Sequence, residues 1–491
     1  MRSCLKSYGP IVVLLFLGGS AEAGDDLDLA RALDQAGANR AEMARALEQA
    51  PEGQKGGMAF LVEHMPASDL RTLTADYLLE NVALAYAARE EFAWGRAVPE
   101  DVFLNDVLPY AHLDESRDRW RRDLYELCRP MVAECRTASE AVGRLNVELF
   151  RVTGVKYSTG RRAANQGPAE TMERKLASCS GLSILLADAC RAVGIPARVV
   201  GIPNWSNKRG NHTWVEVWDQ TWHFTGAAEP DPKGLDRAWF VDDAALAQED
   251  VAEHAIYAAS FRATGLHFPL VWAPDNTSIP AVNVTARYAR KAPTDTVRLL
   301  VRVRDSKGGR RAEPVRIVSG EPPVPVGEGR SRDESADTND ILPFRVAPES
   351  DFVIQVGGQS RAHRTGPAGG QELVEVTVAD EAEGASQRAL EELRAALESK
   401  AVRLGEVAAQ PLARVGLSRS DAEEARRLVV EAHRAQIRDE RGAEITDRVI
   451  REGELAMPFG FSTFGDKPAA GHSLWISLHG GGNAPATVND R

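Results

Sequence analysis

Cysteine is nearly absent from this sequence, with five residues in 491. Cys4 falls in a leading segment expected to be removed. The other four, Cys128, Cys135, Cys179 and Cys190, contain no C-x-x-C pair. That excludes a disulfide-dense scaffold and argues against structural zinc of the usual spacing. Cys128 and Cys135 lie in one helical pattern, about two turns or 11 Å apart, too far to bridge. Basic charge is also short. Against 59 Lys and Arg stand 71 Asp and Glu, a net charge of −12, with no long basic cluster. No nucleic-acid partner is therefore expected. Long apolar runs are missing too, since none reaches the roughly 20 residues that span a bilayer. With 43% hydrophobic and 26% charged residues the chain reads as soluble globular domains. Its length calls for several domains of about 100–200 residues each.

What is present begins with an export pattern. Arg2 and Lys6 form a basic start, residues 11–17 an apolar stretch, and Ala21-Glu22-Ala23 a small-residue cleavage site. The mature chain is expected to begin near Gly24, outside the cytoplasm. Residues 24–114 carry apolar positions at helical spacing, and the pattern continues to about residue 150. Residues 115–275 mix helix and strand. Residues 276–380 alternate in the manner of a small β-sandwich, with a Pro-, Gly- and Ser-rich stretch at 319–339 expected to be a long mobile loop. Residues 381–450 are helical and charge-rich. Residues 451–491 return to strands. The fold class expected is multidomain α+β.

The chemistry concentrates around residue 179. Ser178 is placed to cap a helix beginning at Cys179, with an apolar stripe of Leu182, Leu185, Leu186, Ala189, Cys190 and Val193. Gly194 sits at the position that ends such a helix, and Pro196 prevents its continuation. A strand follows at 198–202, then a polar loop at 204–211. A second strand opens at His212, and after a turn at 219–221 a return strand opens at Trp222. Amide chemistry by a thiol needs a thiol favoured as thiolate, a base beside it and a group that orients the base. The N-terminus of a helix favours a thiolate, and His212 supplies a base. Cys190, inside the apolar stripe, reads as structural.

Cys179, then Arg191-Ala-Val-Gly-Ile-Pro-Ala-Arg198, then His212-Thr-Trp-Val-Glu-Val-Trp218 and Trp222, resemble the transglutaminase-like superfamily. Peptide N-glycanases share the pattern. The resemblance covers about residues 115–275. It implies a papain-like core and a Cys-His-Asp triad with Cys179 as nucleophile and His212 as base. It calls for no cofactor or metal, and for a peptide or protein substrate.

The third member departs from the pattern. The family usually carries Asp where this chain has Gly226. Pairing Trp218 with Trp222 puts Trp214 opposite Gly226, on the His212 face, but glycine has no side chain. Glu229 and Asp231 are the next acids. In strict register Glu229 faces away, and only a strand break before Pro230 brings it back. Gln166 is a candidate oxyanion donor. At the C-terminus His479-Gly480-Gly481-Gly482 resembles the oxyanion loop of an α/β-hydrolase, without any G-x-S-x-G in the chain. The expectation is an exported cysteine hydrolase acting on amide bonds through a thioester. A cross-linking transglutaminase and a non-catalytic peptide-binding module remain alternatives.

Overall fold

The computed structural model describes residues 22–290, 295–378, 381–398, 404–407 and 409–466. The expected export signal, all but its last two residues, and the Gly-rich 479–482 segment lie outside them. The chain divides into two compact units at residues 378/379. The protein is a mixed α+β molecule, as expected.

In the first unit, helices from Glu22–Gln35 through Glu100–Asp106 close around Met43, Met58, Leu61, Leu78 and Phe103. Three further helices, Trp120–Val132, Ala138–Thr153 and Cys179–Ala192, share one core with a five-stranded sheet. The strand order is Thr221–Thr225, His212–Asp219, Ala197–Ile202, Tyr257–Ala259, Ala281–Asn283, antiparallel throughout. Because its last strand is Ala281–Asn283, this sheet runs past residue 275, where the sequence pattern placed a boundary. A second core of Trp205, Trp214, Phe240 and Tyr288 includes residues of the same sheet.

The helix Cys179–Ala192 is the pivot. The Ser178 hydroxyl accepts a hydrogen bond from the Gly181 N–H. Its exit needs glycine: Gly194 has φ +73°, and an added Cβ would stand 2.9 Å from the Ala88 carbonyl oxygen. Every helix residue after Cys179 is buried, while Cys179 itself is partly exposed. Arg191 is buried with its guanidinium donating to the carbonyls of Ala197, Pro109 and Ala111. Those bonds tie the helix to the preceding helical region.

The family-like residues explain one another. Arg198 donates two bonds to Glu216 Oε2, at 2.8 and 2.6 Å, and its guanidinium lies 3.8 Å over the Trp222 ring. Glu216 Oε1 accepts from the Tyr288 hydroxyl at 2.8 Å, and that hydroxyl accepts from Trp214 Nε1 at 2.9 Å. One buried polar chain thus fastens both central strands.

Residues 297–377 form a two-sheet sandwich. A four-stranded sheet (Val324–Arg330, Pro314–Ser319, Asp351–Val356, Gln359–Arg364) and a three-stranded one (Leu342–Val346, Val297–Arg304, Gln371–Thr377) share a core of Val, Ile, Leu and Phe. The expected loop at 319–339 is a correction. It contains the edge strand Val324–Arg330, hidden from sequence patterning by Pro325, Gly327 and Gly329, poor strand formers. The glycines are required here: a Cβ at Gly327 would meet Phe344 at 2.7 Å, and one at Gly329 would meet Leu342 at 2.8 Å.

The second unit comprises helices Glu381–Glu398, Leu404–Val407 and Arg419–Asp447 around Leu393, Val407 and Ala425, followed by the hairpin Val449–Glu452 and Leu455–Pro458.

Glu216→Ala strips a buried arginine of its counter-charge. The expected loss of unfolding free energy is about 3–5 kcal/mol, measured by urea denaturation. A loss below about 1 kcal/mol, within the range of an exposed ion pair, contradicts the role given to this chain of bonds.

Candidate active site

Cys179 opens its buried helix, and His212 opens the strand two places away in the sheet from Tyr257–Ala259. Pairing of His212 with Ile202 fixes its backbone in the sheet. The structure brings the two side chains together and adds one that sequence reasoning missed. Ligand-type atoms of Cys179, His212 and Asp337 all lie within 4.8 Å of one another. His212 Nδ1 stands 3.5 Å from Asp337 Oδ2, and both side chains are almost wholly buried. That separation is charge contact rather than a well-formed hydrogen bond. Catalytic contacts in ligand-free sites are often this loose and tighten on substrate binding.

Asp337 belongs to the sandwich and is held from both sides of the seam. Arg310 donates to the Asp337 carbonyl at 2.8 Å, and the Asn339 N–H donates to Asp337 Oδ1 at 2.8 Å. From the loop before His212, Arg209 donates to the Asn339 carbonyl at 2.8 Å. The Asn339 amide donates to the carbonyl of Asn211, the residue before His212, at 2.9 Å. Tyr157 and Thr338 share a hydroxyl contact of 2.9 Å. Deeper in the seam, Asp243 accepts from Arg209 at 2.5 Å and from Arg298 at 2.6 Å.

Aromatic rings enclose His212. Trp239 lies 4.7 Å away between ring centroids, Phe240 5.0 Å and Trp214 5.9 Å. Burial alone pushes the imidazole down. The charge of Asp337 and the polar contacts to Asp337 and Cys179 outweigh it and hold His212 well above its ordinary range. Burial likewise pushes the Asp337 carboxyl up, but the charge and contact of His212, with the Asn339 N–H and Arg310, bring it below the usual value. The signs are complementary. The His212 contribution to stability is whole below the ordinary imidazole range and is lost as pH rises through its raised value. The Asp337 contribution is whole above the ordinary carboxylate range and is lost as pH falls through its lowered value.

The acids expected behind His212 are placed otherwise. The return strand pairs Trp218 with Trp222 and Val215 with Thr225, then stops. At Gly226 the chain turns, with an isolated bridge to Glu229. The strand does break, and the Glu229 carboxylate fills the space at position 226, where a Cβ would meet its Oε2 at 2.6 Å. Yet Glu229 bonds Trp239 Nε1 at 2.8 Å rather than the imidazole. Burial is the main cause raising its carboxyl to about 8, partly offset by His212 and the Trp239 bond, with Asp337 and Asp340 adding to the rise. That direction disfavours it as a counter-charge to His212. Asp231 turns away, accepting from the Lys233 N–H at 2.8 Å and facing Arg237 at 3.6 Å.

Other expectations resolve similarly. Gln166 is buried with its amide donating to the Leu176 carbonyl. Trp205 is fully buried against Trp214. Cys128, Cys135, Cys179 and Cys190 are all free. Burial pushes the thiols of Cys128, to about 12, and Cys190 up. Among the described residues, Cys179, His212 and Asp337 are also the one such trio close enough to hold a metal ion.

Residues 125–235 match the model of the transglutaminase-like superfamily. The match includes Cys179 and His212 and ends before Asp337. No curated protein matches the sequence. Solved structures similar to the chain include a candidate cysteine protease from Cytophaga hutchinsonii, 19% identical, with TM-score 0.23, covering 39% of this chain and 66% of that one. They include the Bacillus anthracis TIE protein, 10% identical, TM-score 0.14, covering 38% and 30%. Red sea bream transglutaminase is 9% identical, TM-score 0.17, covering 59% of each chain. The chain thus spans less than two thirds of each of these structures. This multidomain α+β chain carries a transglutaminase-like domain at residues 125–235.

Proposed function

We propose that the protein is a cysteine hydrolase that cleaves an amide or peptide bond, with Cys179 as nucleophile, His212 as base and Asp337 as the acid that orients and charges it. The observation that carries this reading is the meeting of the three side chains at the partly exposed start of a buried helix. The Cys179 thiolate adds to the carbonyl carbon, and the oxyanion faces N–H groups of the helix start. Collapse breaks the C–N bond as the His212 imidazolium gives its proton to the departing nitrogen. Water then gives a proton to His212 and adds to the thioester. The thiolate leaves, and a carboxylic acid is released. With an amine in place of water, the same thioester gives the cross-linking alternative.

Cys179→Ala should abolish amide cleavage while leaving the urea midpoint near that of the parent. Cleavage by a folded variant moves the nucleophile elsewhere. Iodoacetamide should alkylate Cys179 faster than a free thiol at neutral pH, read by peptide mass mapping.

Asp337→Asn should lower kcat by roughly 10²-fold or more with a small change in KM, since orientation of the base acts on proton transfer. Its pH profile separates catalysis from folding. In the parent, the alkaline limb of kcat/KM should lie above the ordinary imidazole range, because Asp337 raises His212. In the variant that support is gone and burial alone acts, so the alkaline limb should fall. An unmoved limb contradicts the pairing.

Export belongs to the same proposal and rests on the basic, apolar and Ala-x-Ala order of residues 2–23. Mass spectrometry of protein from its host should find an N-terminus near Gly24, and an intact Met1 in the soluble cytoplasmic fraction contradicts it.

A further inference from the structure

A cavity of about 520 Å³ opens beside the Cys179–His212–Asp337 centre, between the catalytic domain and the sandwich segment that carries Asp337. Leu182, one turn along the nucleophile's helix, lines it with Phe150, Val155 and Trp239. These give apolar walls. Its charged lining is Glu229, Asp231 and Asp340 against Lys156 and Arg332.

One acid of this lining is only half satisfied. Asp340 is only 7% exposed. Its Oδ2 accepts from Arg332 at 2.7 Å, while its Oδ1 accepts no hydrogen bond. A buried carboxylate oxygen without a donor costs on the order of 1–3 kcal/mol. Burial is the main cause that raises the Glu229 carboxyl, and the charges of Asp337 and Asp340 add to the rise. Lys156, by contrast, is exposed to solvent. The surroundings therefore favour an arriving cation on an apolar stem, the form of a lysine or arginine side chain.

Resting on the amide-hydrolase reading, we propose that this cavity is a substrate subsite that takes a basic side chain of the peptide, its alkyl stem against Leu182 and Trp239 and its charge toward the undonated oxygen of Asp340. The site lies on the seam, so the sandwich supplies both the orienting acid and part of the specificity.

The test reads binding without chemistry. Fluorescently labelled alanine pentapeptides carrying one lysine, norleucine or glutamate are titrated into the full-chain Cys179→Ala protein at about 0.15 M salt, where diffuse attraction to an acidic surface is screened. Fluorescence anisotropy should give lysine at least about tenfold tighter binding than norleucine, with glutamate weakest. In Asp340→Asn the lysine-to-norleucine ratio should fall toward one. Equal affinities, a glutamate preference or no binding in the Cys179→Ala protein overturn the subsite, whether or not Asp340→Asn folds. So does a lysine preference that survives Asp340→Asn intact. Iodoacetamide kinetics on the parent protein judge the hydrolase reading separately: a fast Cys179 with no lysine preference removes only the subsite, and a slow Cys179 removes the hydrolase.

Discussion

A buried imidazole holds a charge only where a counter-charge shares its burial. That constraint organises the first unit. His212 sits in an aromatic enclosure that disfavours its charged form, and Asp337 reverses the balance. Two buried charges repay desolvation only when geometry and further hydrogen bonds are good. Hence the lattice of bonds around Asp337: Arg310 from the sandwich, Arg209 and Asn211 from the loop that delivers His212, and the Asp243 pairs beneath. Sandwich and catalytic sheet are coupled through this charge.

The second consequence concerns Gly226. A side chain there would collide with Glu229, whose carboxylate fills the place. The site therefore contains two acids whose surroundings push them in opposite directions. Burial raises both carboxyls, but at Asp337 the charge and contact of His212 outweigh it, whereas at Glu229 burial prevails and Asp337 and Asp340 add to the rise. Asp337 faces the imidazole, and Glu229 accepts from Trp239 beside it.

Legibility in the sequence followed the distance over which each feature is decided. The Ser178 cap, the left-handed Gly194 and the Trp218–Trp222 pairing depend on neighbours a few residues away, and all were readable. The edge strand Val324–Arg330 was not, because its proline and glycines violate strand propensity to let Phe344 and Leu342 approach closely. The partners of Arg198 and Glu216 were likewise invisible until the sheet placed them side by side.

Asp337 was the largest omission, and its concealment has a physical cause. Nothing local marks it: Ser335-Ala336-Asp337-Thr338-Asn339 reads as turn chemistry, and the Asn339 N–H bond to Asp337 is a turn of that kind. Its meaning comes from a docking contact between elements far apart in the chain. Yet a hint was available. A long polar segment inside a compact domain usually has either a function or hidden structure. Here it holds an edge strand and the Asp337 turn, and the vacancy at Gly226 left open an orienting group from elsewhere in the fold. The acid absent from the hairpin is thus matched by one that the tertiary fold brings to His212, on a turn of the sandwich rather than a strand. A turn can project a side chain across a seam, whereas a strand must alternate its side chains between the two faces of its sheet.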